Sequence, residues 1–251
     1  MPRLHPLLLL AAATLVVSSN AAAQGRRWTG NAEAALSFFS GNTNQRSLFA
    51  KTGVSRKDSV MEWKSDLSFS YADADRDSLP REVTRRTWLG SLAVDFHPYA
   101  RFSPFMFGTW EASYEKRILD RVGLGIGGKI VIIRNDATLT DFSLAMLSER
   151  TRPSDRATDP SITSFARWSS RFRARHKFDD RLSASHETMY QPRVTAVDSY
   201  TLKSTTGLAY QLRESTNLTI SYMANYDSEA IARGARSNDD GQLLMGVKTT
   251  F

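Results

Sequence analysis

From residue 28 onward, apolar side chains recur at every second position. The first face reads Ala32, Ala34, Leu36, Phe38, the next Leu48, Ala50, Thr52, Val54, and the third Met61, Trp63, Leu67, Phe69, Tyr71. The same alternation continues to a last segment with Leu243, Met245, Val247, Thr249 and Phe251 on one face. Opposite them stand Gln242, Leu244, Gly246, Lys248 and Thr250. A strand has a side-chain period of 2 and a helix one of 3.6, so each segment is a strand with one apolar and one polar face. About twelve such strands, give or take two, fit between residues 28 and 251.

The connections alternate in length. Compact turns contain Arg56-Lys57-Asp58, His97-Pro98, Arg134-Asn135-Asp136, Asp179-Asp180 and Glu214-Ser215-Thr216. Longer polar segments run from Asp73 to Glu82, Glu149 to Ser161, Pro192 to Ser199 and Asp227 to Asp239. The connections near Ser40 to Gln45 and Lys116 to Asp120 are short exceptions. Short turns on one side and long loops on the other are the habit of a transmembrane up-and-down antiparallel β-barrel, with an even strand number placing both chain ends at the short-turn, periplasmic side. Trp28, Trp63, Trp88, Trp110 and Trp168 suit aromatic girdles at the two membrane interfaces.

The first residues support this location. Arg3 and His5 precede an apolar run from Leu7 to Val17, and Ala21-Ala22-Ala23 supplies a small-residue cleavage site. Residues 1–23 are therefore expected to be a signal peptide and residues 24–251 the barrel. No second apolar run is long enough for a spanning helix, and with 41% hydrophobic residues and a mean hydropathy of −0.37 the chain is not a helical membrane protein. A barrel tolerates this composition because only alternate residues face lipid. The aromatic Phe251, closing the last apolar face, is the expected signal read by the barrel-assembly machinery.

Several stretches resemble a known family. LSFFSGNTNQRSL (Leu36 to Leu48), FMFGTWEASYEKRILDRVGLGIGG (Phe105 to Gly128), HETMYQP (His186 to Pro192) and STNLTISYMANYDS (Ser215 to Ser228) are similar to the salt-induced outer-membrane protein family, a domain-of-unknown-function family of outer-membrane β-barrels. The resemblance covers most of the chain after residue 23 and departs around Ser154 to Ile162 and Val194 to Ser199. It implies the fold and an outer-membrane location. It implies no activity.

Charge narrows the partners. The formal net charge is +7 and the sequence pI about 9.8, but the export signal directs the chain away from nucleic acid. Lipopolysaccharide phosphates and small anionic solutes are the expected anionic partners. There are no cysteines, which excludes disulfides, and His97, His176 and His186 are too few and scattered to suggest a metal site; no cofactor is expected.

The most informative polar segment is SFARWSSRFRARHK, Ser164 to Lys177. If Trp168, Phe172 and Ala174 face lipid, then Arg167, Arg171, Arg173 and Arg175 share one wall of the lumen. Arginine on the lipid face near the midplane would cost about 2 to 4 kcal/mol, which favours the same assignment. The same alternation turns Glu111, Glu115, Asp141 and Glu187 inward as carboxylate partners. Two readings follow: a charged wall that selects small anions, or acids and bases that pair across a narrow lumen and fill it. Gly123, Gly125, Gly127 and Gly128 lie in a strand with no helix after them, so they make room for bulky neighbours rather than cradle a phosphate. His186 and Glu187 fall on opposite faces and cannot share a catalytic site. No enzyme is expected; an outer-membrane hydrolase and a surface-binding protein acting through its loops are the alternatives.

Overall fold

The structure is a computed structural model that describes residues 28–39, 43–76 and 81–251. The expected signal peptide, residues 1–23, lies outside the described residues. Twelve strands follow one another: β1 (Trp28–Phe39), β2 (Thr43–Lys57), β3 (Met61–Arg76), β4 (Glu82–Phe96), β5 (Phe102–Ser113) and β6 (Ile118–Arg134). The second half comprises β7 (Thr138–Pro153), β8 (Thr163–Lys177), β9 (Leu182–Pro192), β10 (Tyr200–Arg213), β11 (Thr216–Asp227) and β12 (Asp239–Thr250). Each pairs antiparallel with its sequence neighbours, and β1 pairs with β12, so the sheet is a closed barrel.

Closure removes every sheet edge, which leaves the two faces to be explained. Leu124 and Ile126 remain 66% and 68% exposed on the outside, and most of the other large apolar residues of the alternating faces are exposed with them. A belt of this kind is stable only against lipid. Inward positions hold Asp95, Glu111, Arg121, Lys129, Asp141, Glu149 and Arg167, all buried. Stacked tyrosines cross the outer wall at one end, with ring centroids 5.3 Å apart for Tyr190 and Tyr200 and 5.1 Å for Tyr200 and Tyr226.

The five short turns share one barrel end. In three of them an Asp or Asn at the turn entry accepts two backbone N–H groups from the start of the next strand: Asp58 from Val60 and Met61, Asn135 from Ala137 and Thr138, Asp179 from Arg181 and Leu182. Side-chain capping of this type tolerates only a tight connection, which is why these turns stay short. The N–H groups of Arg181 and Leu182 hold the exposed Asp179 carboxyl below the usual carboxylate range.

At the opposite, long-loop end the strands run further than the alternation suggested. β7 continues to Pro153, so Glu149 and Thr151, expected at the start of a loop, are buried wall residues. β11 likewise keeps Asp227. The physical reason is that their polar side chains point inward, so the strand can continue beyond the apolar belt without exposing anything to lipid. The 228–238 connection folds into a single helical turn closed by Gly234 at φ +88°, with Ala235 N–H donating to Ala230 carbonyl and Gly234 N–H to Ile231 carbonyl. That pair of bonds around a left-handed glycine is a Schellman stop, and it makes the loop a compact cap.

Two close approaches fix the wall. The Phe107 ring lies where a side chain at Gly125 would be, 2.5 Å from a notional Cβ. At the seam the Phe251 ring covers Gly30 in the same way, while Gly30 and Phe251 exchange backbone hydrogen bonds of 2.7 and 2.9 Å. Seam pairing runs from Asn31↔Thr250 to Ala35↔Gly246, so it is confined to the short-turn half.

Candidate functional site: the charged lumen

Twelve strands about 4.8 Å apart, tilted about 40°, close a backbone cylinder roughly 24 Å across, and inward side chains reduce that by about half. The lumen is therefore narrow enough for opposite walls to touch. At the long-loop end they do. Arg121 on β6 donates from Nη2 to Asp227 Oδ2 of β11 at 3.1 Å, and Lys203 Nζ on β10 reaches Glu111 Oε2 of β5 at 3.3 Å. Arg85 on β4 binds Asp240 of β12. Each of these pairs joins strands that lie four or more apart around the barrel.

The cap enters the same network. Arg233 of the helical turn donates from Nη2 to Asp227 Oδ2 at 2.6 Å, and Asp227 Oδ1 accepts the Glu229 N–H. One carboxylate thus holds the wall arginine, the cap arginine and the start of the cap. Glu111 is reached by Lys116 at 2.7 Å as well as by Lys203, and Glu149 accepts from Arg167 Nε at 3.1 Å. Buried ions that share partners in this way have their desolvation offset by several attractions at once.

The short-turn half is built differently. Asp95 accepts from Lys129 at 2.6 Å, Lys64 pairs with Glu62 of its own strand at 3.0 Å, and Lys51 pairs with Asp66 at 3.3 Å, so each pair stays on one strand or joins nearby ones. No bridge among the described residues crosses the lumen here.

Against this frame the four arginines of β8 separate. Arg167, 0% exposed, gives Nε to Glu149 and Nη1 to the Gln191 and Ser199 carbonyls. Arg173 makes two bonds to Asp141 Oδ2, 3.0 Å from Nε and 2.7 Å from Nη2. Arg171 makes no ion pair among the described residues, and its Nε has no hydrogen-bond partner. Arg175 is open to solvent and likewise unpaired among the described residues. Register explains the split. Arg173 lies between Asp141 and Glu187 on the flanking strands, whereas Arg171 lies between Ser143 and Met189, and Arg175 between Leu139 and Ser185.

The carboxylates differ too. Asp141 is buried on Arg173, Glu111 sits in the cross-lumen network, and Glu187 is half-buried on β9 beside Arg173. Glu115 is not on a strand wall: β5 ends at Ser113, and Glu115 lies in the 114–117 turn, where it accepts from the Thr87 hydroxyl and the Arg86 N–H. Its carboxylate still reaches the inward side, because Thr87 is a buried wall residue. Glu149, Asp227 and Arg233 are network members that the sequence reading left in loops. The first two extend unbroken inward alternations and were legible on that ground; Arg233 had no periodic signal.

The histidines hold no shared site. His186 faces outward with Thr206 and Thr188 hydroxyls on its ring nitrogens, both at 2.8 Å, while Glu187 faces inward. His176 bonds Thr138 at 2.9 Å. Among the described residues no His, Asp and Glu group is arranged to hold a metal ion. Asp73 and Asp75 both pair with Arg81.

A closed twelve-stranded antiparallel barrel with an apolar exterior and a charged interior has the architecture of outer-membrane porins and channels. A family model described as "Protein of unknown function, DUF481" matches residues 32–251, and the chain belongs to that family. That description carries no salt-induced designation. Among solved structures the chain is similar to the NanC porin, with a TM-score of 0.55 and 8% identity over 87% of this chain and 98% of that one. It is also similar to the KdgM porin in complex with disordered oligogalacturonate, with a TM-score of 0.47 and 10% identity over 88% and 99% of the two chains. The outer-membrane channel DcaP of Acinetobacter baumannii follows with a TM-score of 0.41 and 8% identity over 90% and 97%. No curated protein matches the chain.

Proposed function

We propose that the protein is a non-enzymatic outer-membrane barrel that forms a narrow conduit for small anionic solutes, closed at its long-loop end by ion pairs. Its long loops face the cell exterior and its short turns the periplasm. The observation that carries the reading is the pair of guanidinium groups at Arg171 and Arg175, which stand on the lumen wall and make no ion pair among the described residues, while Arg167 and Arg173 of the same strand are paired. Unneutralised positive charge on a pore wall raises the local anion concentration and opposes cations. No cofactor is required. Phe251, packed on Gly30 at the seam, is the residue we assign to recognition by the barrel-assembly machinery.

The test is electrical. The purified barrel in a planar bilayer under a potassium chloride gradient should show a zero-current potential of chloride-preferring sign. A cation-preferring sign would overturn the assignment.

A second reading, a sealed structural barrel, is favoured by the bridges Arg121–Asp227, Lys203–Glu111 and Arg85–Asp240. It requires that the barrel stay non-conducting even when Arg85 and Arg121 are both replaced by alanine. Conductance appearing in that variant would establish a closed conduit instead.

A further inference from the structure

Most arginines inside the barrel are ion-paired, but at the long-loop end a group outside it makes no ion pair among the described residues. Arg86 leaves β4 on the lipid-facing side, two residues beyond Trp88. Tyr114 donates its backbone N–H to the Arg86 carbonyl at 3.0 Å, and the Arg86 guanidinium carbon lies 5.5 Å from the Tyr114 ring centroid. Arg156, from the 154–162 connection, lies over the same ring at 4.5 Å. On β7, Arg150 points outward and is exposed, one outward position above Ser148 and two above Met146. Among the described residues Arg86, Arg150 and Arg156 form no ion pair, whereas the adjacent Arg152 pairs with Asp120.

Two cations on one aromatic ring are each attracted to the ring and repel one another. An anion bridging them would remove that repulsion. Guanidinium groups match phosphate oxygens through paired N–H donors, which makes phosphate the anion of choice here. The position selects the source. Arg86 and Arg150 face outward from β4 and β7 at the upper border of the apolar belt, where a membrane lipid presents its headgroup, and Arg156 reaches the Tyr114 ring from the loop above. Lower on the same wall, the lipid-facing cross-strand row Met106, Ile126, Met146 and Trp168 lines an apolar groove of about 530 Å³. A free phosphate would have no use for such a groove; an acyl chain would.

We propose that Arg86 and Arg156, over Tyr114, with Arg150 exposed on the same outer wall two strands away, bind the phosphates of a phosphorylated glycolipid of the outer leaflet, with an acyl chain in the groove below. The proposal rests on the outer-membrane reading and is independent of whether the lumen conducts. The probe is purified lipopolysaccharide, compared with the same material after enzymatic dephosphorylation, titrated onto the folded barrel in neutral detergent. Wild-type protein should bind the phosphorylated form more tightly. Replacing Arg86, Arg150 and Arg156 together by glutamine should weaken that binding by about fivefold for each charge, roughly a hundredfold in all. The control Lys57→Gln, which removes a cation over Tyr99 at the other barrel end, should leave affinity unchanged.

Equal affinity of the triple variant and the wild type overturns the site. So does equal binding of the phosphorylated and dephosphorylated lipid by wild type, or inorganic phosphate alone reproducing the lipid's effect, which would mark a free-anion site. If the triple variant yields no folded barrel, Arg150→Gln alone decides, because that side chain is exposed and unpaired; no loss of affinity overturns the assignment. A wild-type chain that never gives a detergent-resistant barrel overturns the outer-membrane reading and the lipid site with it. A folded wild type that ignores phosphorylated lipid overturns the lipid site alone.

Discussion

The two halves of the lumen carry similar residue types and use them in opposite ways. Toward the long loops, Glu111, Arg121, Glu149, Arg167, Lys203, Asp227 and Arg233 share partners, and Arg121–Asp227 and Lys203–Glu111 span the barrel axis. Toward the short turns, pairs such as Lys129–Asp95 and Arg173–Asp141 stay on their own side of the wall, and Arg171 and Arg175 are left over. Charge count does not separate a seal from a selective wall. What separates them is which residue the neighbouring strand places beside each arginine, and whether a partner can reach from the far wall.

The comparison breaks most visibly at Asp227. Asp227→Ala would leave Arg121 and Arg233 facing each other in a dry site, and loss of one partner from a buried ionic group costs about 3 to 5 kcal/mol. Urea denaturation of the detergent-folded barrel should show that loss, together with an increased open probability in bilayers. Glu187→Gln, on the looser side, should cost under about 1 kcal/mol.

The seam offers the next contrast, since its pairing lies in the short-turn half alone. Phe251→Asp places a charge against Gly30 on the lipid side and should reduce the heat-modifiable barrel severalfold in outer-membrane fractions. Normal abundance would mean that Phe251 is neither seam nor signal.

Orientation is tested by labelling. A membrane-impermeant maleimide should reach a single cysteine at Ser237 in intact cells and miss one at Asp58. The reverse pattern would exchange the assignments of the two lumen halves to exterior and periplasm.

The smallest effect belongs to the turns. Because Asp179 has a depressed pKa in the folded barrel, its stabilisation is complete above the ordinary carboxylate pKa of about 3.9 and is lost as pH falls through the lower folded value. Asp179→Ala should remove that acid-side dependence and slightly lower stability at neutral pH. An unchanged acid titration of stability would show that the cap contributes nothing.

Much of this was legible in the alternation alone. Strand number, the inward arginines of β8 and the compact turns follow from a period of 2 and from Asp or Asn at turn entries, because lipid on one side leaves the pattern little freedom. The pairing inside was not legible, since it depends on residues brought together across the lumen. Arg121 and Asp227 are 106 positions apart in the chain, and no local pattern relates them. Glu115 lies past the end of β5, so its bond to the buried Thr87 hydroxyl is made from a turn that a period of 2 does not describe. Arg233 was missed because its position depends on a helical turn ending at Gly234 rather than on a strand.

The central claim is that Arg171 and Arg175, the arginines without partners, set the ion preference of the lumen. The direct measurement is the reversal potential of the double variant Arg171→Ser, Arg175→Ser beside wild type, in a tenfold salt gradient at low and at high ionic strength. The account predicts a shift toward cations that shrinks as salt rises, with denaturation unchanged because no buried carboxylate is left exposed. A conducting variant whose reversal potential equals that of wild type would contradict it.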